Sequence, residues 1–252
     1  MGRLTPALMR AFDILELLRD ADNGLSASEI VEKTGLPRTT VHELLITMVE
    51  RKYLRRDEAA GRFHLGIVTF QLGNAFAERL DLRSAALRVA QRVAAECDET
   101  VQAGILDGGH VVYLCKVDST QAVRTIARTG GRLPANCTAI GKAMLAFLPK
   151  SVLSEMAQPG ALTGLTPKSI TDPAHFMEQM LEIQQTGVAF ESGESNLDVS
   201  CVAAPVRDHA GVVRAAISIS VPDMRWYQRS EQEWAELALD GARQLGSELG
   251  AA

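Results

Sequence analysis

The chain has 252 residues, 46% of them hydrophobic and 23% charged, with 26 Lys+Arg against 31 Asp+Glu and a formal net charge of −5. That length accommodates two domains at roughly 100–200 residues each. An acidic chain does not coat nucleic acid everywhere; no apolar run approaches the ~20 residues that cross a bilayer, and the N-terminus lacks a signal-peptide core, so a cytoplasmic protein without a membrane partner is expected.

Thr5 and Pro6 read as the cap and first residue of a helix whose apolar positions Leu8, Phe12, Leu15 and Leu18 recur every three or four residues, with Asn23 and Gly24 breaking it. The stretch SASEIVEKTGLPRTTVHELLITMVERKYL, residues 26–54, then reads as two short helices and the start of a strand. Ser26 and Glu29 form a capping box, Gly35 ends the first helix in the left-handed conformation, and Pro37 fits the first turn of the second. On that second helix Val41, Leu44, Leu45 and Met48 share one side, which turns Thr39, Thr40, His42, Glu43 and Thr47 outward. Small hydroxyls, a histidine and the nearby Arg38 on the exposed half of a short helix suit the major groove. An ordinary helical hairpin with a solvated polar face is the plainer alternative.

The residues beyond this helix favour DNA. Strand residues from Tyr53, a polar turn at 57–61 and a returning strand at 62–65 make a hairpin wing, so residues 1–66 are assigned to a winged helix-turn-helix domain. Residues 1–64 hold ten basic and ten acidic side chains, and Arg51, Lys52, Arg55, Arg56 and Arg62 cluster at the corner between helix and wing. Ser26, Arg38, Thr39, Thr40, His42, Glu43, Arg55, Arg56 and Arg62 are the expected contacts to double-stranded DNA.

Residues 67–80 keep helical periodicity and read as a connecting helix, with the boundary between Arg79 and Asp81 and a second domain over 81–252. Asp81 begins a helix to Cys97. Strands are expected at 100–106 and 111–117, joined by the turn Asp107-Gly108-Gly109-His110, and a third at 122–128. Gly130, Gly131 and Pro134 form a loop into a helix from about 138 to 148. Asp172-Pro173 starts a helix to Thr186; strands are expected at 188–191, 200–207 and 212–221, and Ser230 with Glu233 caps a C-terminal helix. The fold class is α+β, the second domain being a mixed sheet with flanking helices. The five histidines and four cysteines are scattered without HExxH or CxxC spacing, so no metal, cofactor or catalytic residue is assigned.

Three blocks, EIVEKTGLPRTTVHELLITMVERKYL, LPANCTAIGKAMLAFLP and CVAAPVRDHAGVVRAAISISVPDMR, together resemble the IclR family of bacterial transcriptional regulators, in the family's order and over almost the whole chain. The resemblance implies a dimer or tetramer that binds operator DNA through the N-terminal domain and a small metabolite, often an organic acid, through a GAF-like C-terminal domain. Glu43 stands where many members carry a basic residue, Glu191 where Asp or Ser is usual, and Arg207 where an aromatic residue or His is usual.

Residues 136–140 enter a helix whose first amides present partial positive charge to a carboxylate, and Ser218 and Ser220, two apart on a strand, project from one face. By resemblance, Ala139, Ile140, Glu191, Cys201, Ser218 and Ser220 match effector-contacting positions, with Leu133 and Val199 in the apolar lining. The competing reading is a GAF-like thiol enzyme or redox sensor using Cys137 or Cys201, the former activated by its place at a helix start.

Overall fold

The computed structural model describes residues 4–78, 81–122 and 128–250. The chain divides into two compact units, Met1–Leu80 and Asp81–Ala252.

In the first unit, helix α1 (Pro6–Arg19) is followed by a two-residue strand β1 (Leu25–Ser26), α2 (Ala27–Thr34), α3 (Arg38–Glu50), the wing strands β2 (Leu54–Asp57) and β3 (Arg62–Leu65), and α4 (Ile67–Glu78). Strand order is β1-β3-β2, with Leu25 opposite Phe63 and Arg56 opposite Phe63 from the other side. Strand β1 was not foreseen, because two residues are too few to show a period. The core joins Ile14, Leu18, Ile30, Val41, Leu45, Met48, Leu54 and Phe63, and each large aliphatic among them stabilises the unit by ~1.5–3 kcal/mol through burial.

Helix α1 departs from its expected face. Ile14 and Leu18 are buried, whereas Leu8 and Phe12 stay 53% and 47% exposed, because the core reaches only the second half of the helix. Thr5 makes no side-chain capping bond. The capping box of α2 forms as read, with the Ser26 amide 2.7 Å from Glu29 Oε2, and Gly35 closes the helix at φ +66°. Pro37 sits just before the first helical residue of α3, not inside its first turn.

The second unit runs α5 (Asp81–Cys97), β4 (Thr100–Asp107), β5 (His110–Val117), β6 (Arg132–Pro134), a 3-10 turn (Ala135–Cys137), α6 (Ala139–Leu145), α7 (Lys150–Met156), α8 (Pro173–Thr186), β7 (Ala189–Ser192), β8 (Val199–Arg207), β9 (Val213–Pro222), α9 (Asp223–Trp226) and α10 (Glu231–Glu248). The sheet order is β6-β5-β4-β9-β8-β7, and every pairing is antiparallel, so the unit combines helices with strands as expected while the strands themselves are not mixed in direction. Gly108 and Gly109, at φ +52° and +83°, make the two-residue turn that pairs Asp107 with His110. The strand expected over 122–128 falls on residues 123–127, outside the described residues, as do positions 79 and 80 at the expected boundary.

Helices α5 and α10 pack on one face of this sheet and α6 on the other. The α6 side carries Tyr113, Ala139, Ile140, Ala143, Met144, Phe176, Met180, Ala189, Ala203 and Ala216 in one core. Small alanines on three strands let α6 lie close to the sheet, so the polar residues between them are sealed from water too.

Candidate nucleic-acid interface and ligand site

On α3, Val41, Leu45 and Met48 are buried as the 3.6-residue period requires, and Leu44 is partly so. Arg38, Thr39, His42, Glu43 and Thr47 are exposed, and Thr40 is half-buried. Ile46, 57% exposed on the same outward side, was missed in the sequence because an aliphatic residue there reads as core. Pro37 offers no side-chain acceptor to the start of α3, so the first amides of the helix lack an intrahelical or capping partner and are available to an anion.

The wing splits the basic cluster. Arg55 and Arg56 are exposed on β2, Arg56 lying 3.5 Å from Glu58 with its guanidinium 5.8 Å from the Phe63 ring centre. At the turn, the Asp57 carboxylate accepts from the amides of Ala59 (3.0 Å) and Ala60 (3.1 Å), and the Ala60 amide chiefly holds it below the ordinary aspartate range. Arg62 turns inward: its guanidinium donates to the carbonyls of Asn23 (3.0 Å) and Gly24 (3.0 Å) and to Glu29 Oε1 (3.1 Å). Ser26 is likewise engaged, its hydroxyl accepting from the Glu29 amide. Both residues brace the entry to α2, a use that charge and spacing alone do not reveal.

The sheet of the second unit brings most of the expected ligand residues together. Thr100, Ser220, Cys201 and Glu191 stand opposite one another on four adjacent strands, and cross-strand partners project to one face, so they form a continuous polar row. Ser218 lies in the next row, between Gln102 and Ala203. Val199, two residues before Cys201, shares that face at the sheet end; Ala139 and Ile140 are buried on α6 above it, and Leu133 on β6 is half-buried against the same core.

Burial makes this row chemically unusual. Glu191 is 2% exposed, and its Oε1 accepts from the amides of Glu194 (2.6 Å) and Ser195 (2.8 Å). Desolvation outweighs those bonds and lifts the Glu191 pKa above the ordinary glutamate value. Lys142, fully buried on α6, is ion-paired with Glu194 in the β7–β8 loop. Thr100 Oγ1, Glu191 Oε2 and Glu194 Oε2 are buried without a hydrogen-bond partner among the described residues. Thr100, Gln102, Lys142 and Glu194 were not picked out as site residues from the sequence; only the strand register and the depth of α6 reveal them.

The helix-start reading of 136–140 changes in detail. Thr138 caps α6, its hydroxyl accepting from the Gly141 amide at 3.1 Å, while the Asn136 side chain is held away by the Thr163 carbonyl at 2.8 Å. Cys137 is not an activated thiol. It is buried in the 3-10 turn, donates to the Thr163 carbonyl at 3.0 Å, and burial pushes its pKa up, against the lowering expected from a helix start. Burial also raises the Cys201 thiol well above its ordinary value, and it donates to Ser220 Oγ at 3.3 Å. Among the described residues no group of three or more His, Cys, Asp or Glu is placed to hold a metal ion, and no helix is long and apolar enough to cross a membrane.

Comparison with known proteins joins the two sites. Residues 7–58 match the IclR helix-turn-helix domain, and residues 74–247 match the bacterial transcriptional regulator IclR C-terminal domain. The chain is 31% identical to the HTH-type transcriptional regulator BhcR of Paracoccus denitrificans (strain Pd 1222) over 95% of its own length and 85% of that protein's. It is also 31% identical to KipR of Bacillus subtilis (strain 168) over 90% of each. Among solved structures, an IclR homologue from Microbacterium hydrocarbonoxydans, complexed with 4-hydroxybenzoate, superposes with a TM-score of 0.85 at 27% identity, covering 98% of this chain and 100% of that one. The IclR protein of Thermotoga maritima gives 0.78 at 27% identity over 96% and 98%.

Proposed function

The chain belongs to the IclR family of bacterial transcriptional regulators, and from that premise we propose how its residues divide the work of binding operator DNA and a small effector. It is a DNA-binding transcriptional regulator, and the raised pKa values of the buried Cys137 and Cys201 thiols argue against the thiol-enzyme reading. Helix α3 enters the major groove. Arg38 and the first amides of α3 meet phosphate, Thr39, Thr40, His42 and Glu43 meet base edges, and Ile46 covers a thymine methyl group. Arg55 and Arg56 reach the backbone from the wing. Ser26 and Arg62 act one step back, fixing α2 and hence the angle at which α3 is presented. The protein works as a dimer or tetramer in the cytoplasm, because paired helices reading two half-sites multiply the discrimination that one short helix provides.

The observation that carries this reading is the outward side of α3, which puts polar and apolar side chains, unneeded by the core, on the exposed half of a helix next to exposed arginines. On the other unit, the row Thr100–Ser220–Cys201–Glu191, roofed by Ala139 and Ile140, takes a small organic acid. The bound 4-hydroxybenzoate of the Microbacterium relative supports that class of ligand. By linkage, an acid that weakens operator binding by some factor is itself bound more weakly to the operator complex by the same factor. The test is a duplex selected from a random library by the intact protein, titrated with and without a panel of carboxylic acids. Binding to it falls steeply with salt and shifts with at least one acid; a duplex affinity indifferent to both salt and every acid overturns the proposal.

A further inference from the structure

Among the described residues, the buried face between α6 and the sheet holds two carboxylates, Glu191 and Glu194, and one ammonium, Lys142. Glu194, 5% exposed, is matched by Lys142. Among the described residues Glu191 is ion-paired with no cation: Oε1 is held by two amides and the Ser195 hydroxyl, and Oε2 is buried with no hydrogen-bond partner. The other titratable groups around it are Cys201 directly opposite on β8 and Tyr113 on β5, with Asp223 of α9 beyond Cys201. Burial raises both Tyr113 and Cys201 well above their ordinary values, so neither supplies charge near neutral pH. A carboxylate ligand laid along the row meets an unmatched negative charge at its Glu191 end, and like charges that close do not both stay ionised.

Taking as given the proposal that the effector is an organic acid, we infer that it binds together with one proton, taken up from solvent by the Glu191 carboxylate. An O–H bond forms at Oε2 and donates to the ligand carboxylate, while Oε1 keeps its bonds to the Glu194 and Ser195 amides; nothing is oxidised or reduced. Desolvation already biases Glu191 toward the protonated form. The regulator therefore reads acid concentration and pH as a product, responding most where an acid accumulates faster than its proton is buffered.

Isothermal titration of the full chain with acetate, pyruvate, lactate and benzoate tests this, at pH 6 to 9 in paired buffers of different ionisation enthalpy. These acids are themselves at least about nine-tenths ionised throughout, since carboxylic-acid pKa values of this kind lie below about 5. For each acid that binds, affinity falls toward about tenfold per pH unit at the alkaline end, with proton uptake approaching about one. Glu191→Gln, which places a permanent donor near Oε2, flattens the profile and abolishes uptake; Glu191→Ala weakens binding about tenfold or more at pH 6. Affinity constant with pH and no proton uptake overturns the inference while leaving the organic-acid site standing, as does a slope that survives in Glu191→Gln. If no acid binds the folded protein, the organic-acid reading falls and takes this inference with it.

Discussion

Replacing Arg62 with alanine separates the two uses to which a basic cluster beside a recognition helix can be put. The side chain makes three kinds of bond, to the carbonyls of Asn23 and Gly24 and to Glu29, and is 33% exposed against 38% for its acidic partner. Fully buried charge-assisted bonds of this kind contribute ~1.5–3 kcal/mol each. At this exposure water screens them, and a pair so placed contributes closer to ~0.2–1 kcal/mol. Allowing for the two carbonyls, Arg62→Ala should destabilise the N-terminal unit by ~1–2 kcal/mol, or roughly 5–15 °C in midpoint for a unit of this size. Differential scanning calorimetry of the full chain reads the midpoint, and fluorescence anisotropy against the selected duplex at several salt concentrations reads the ionic contribution. Arg62→Ala lowers the first midpoint and leaves the salt slope intact below it. Arg38→Ala does the reverse, reducing the slope by about one because one phosphate is no longer neutralised. A native midpoint with a reduced slope in Arg62→Ala would refute the inward assignment.

Three further outcomes rest on particular contacts. The Ser26 amide chiefly, with the Ser26 hydroxyl and Arg62, holds Glu29 down to about 2; because this folded value lies below the unfolded one of ~4.3, its contribution is present above that pH and is lost as acid takes the chain down through about 2. The midpoint of the N-terminal unit, followed by circular dichroism from pH 5 to 2, should fall more in the wild type than in Glu29→Gln. Gly141 lies against the 3-10 turn so closely that an added Cβ would sit 2.2 Å from the Ala135 carbonyl oxygen, so Gly141→Ala should cost ~3 kcal/mol or more in a urea titration. Trp234, 2% exposed, stacks on Trp226 at 5.7 Å and donates to its carbonyl at 2.9 Å. Trp234→Ala should cost ~3–5 kcal/mol, seen as an earlier unfolding transition of the C-terminal unit.

Local signals in the chain were strong where one residue decides an outcome within four positions. The capping boxes at Ser26 and Ser230, the Asp172-Pro173 helix start and the Gly108-Gly109 hairpin all form where they were expected. Helix α3 shows its buried side plainly because Val41, Leu45 and Met48 keep to one period. Signals failed where the outcome is decided from a distance. The Leu8–Phe12 face of α1 has the same period as a buried face but stays exposed among the described residues, and Arg62 looks like Arg55 until Gly24 and Glu29 are brought under it. At the ligand site, Glu191, Cys201, Ser218 and Ser220 came from family resemblance, and alternation alone placed only the two serines on one face. Their union with Thr100 depends on which strands pair, since β4 and β9 are more than a hundred residues apart. The lowered Cys137 pKa on which the competing thiol reading leaned does not arise, because a helix start lowers a thiol pKa only when the thiol is not also desolvated.

The assignment of α3 to the operator is best examined by parallel selection of duplexes from one random library with the wild type and with a His42→Ala, Glu43→Ala variant, at matched salt. Relaxed preference at one or two positions of each half-site, with half-site spacing kept, is the predicted outcome, each base-edge interaction removed being worth ~1–3 kcal/mol of discrimination. Identical preferences at every position from a variant that still binds would place sequence reading elsewhere on the protein.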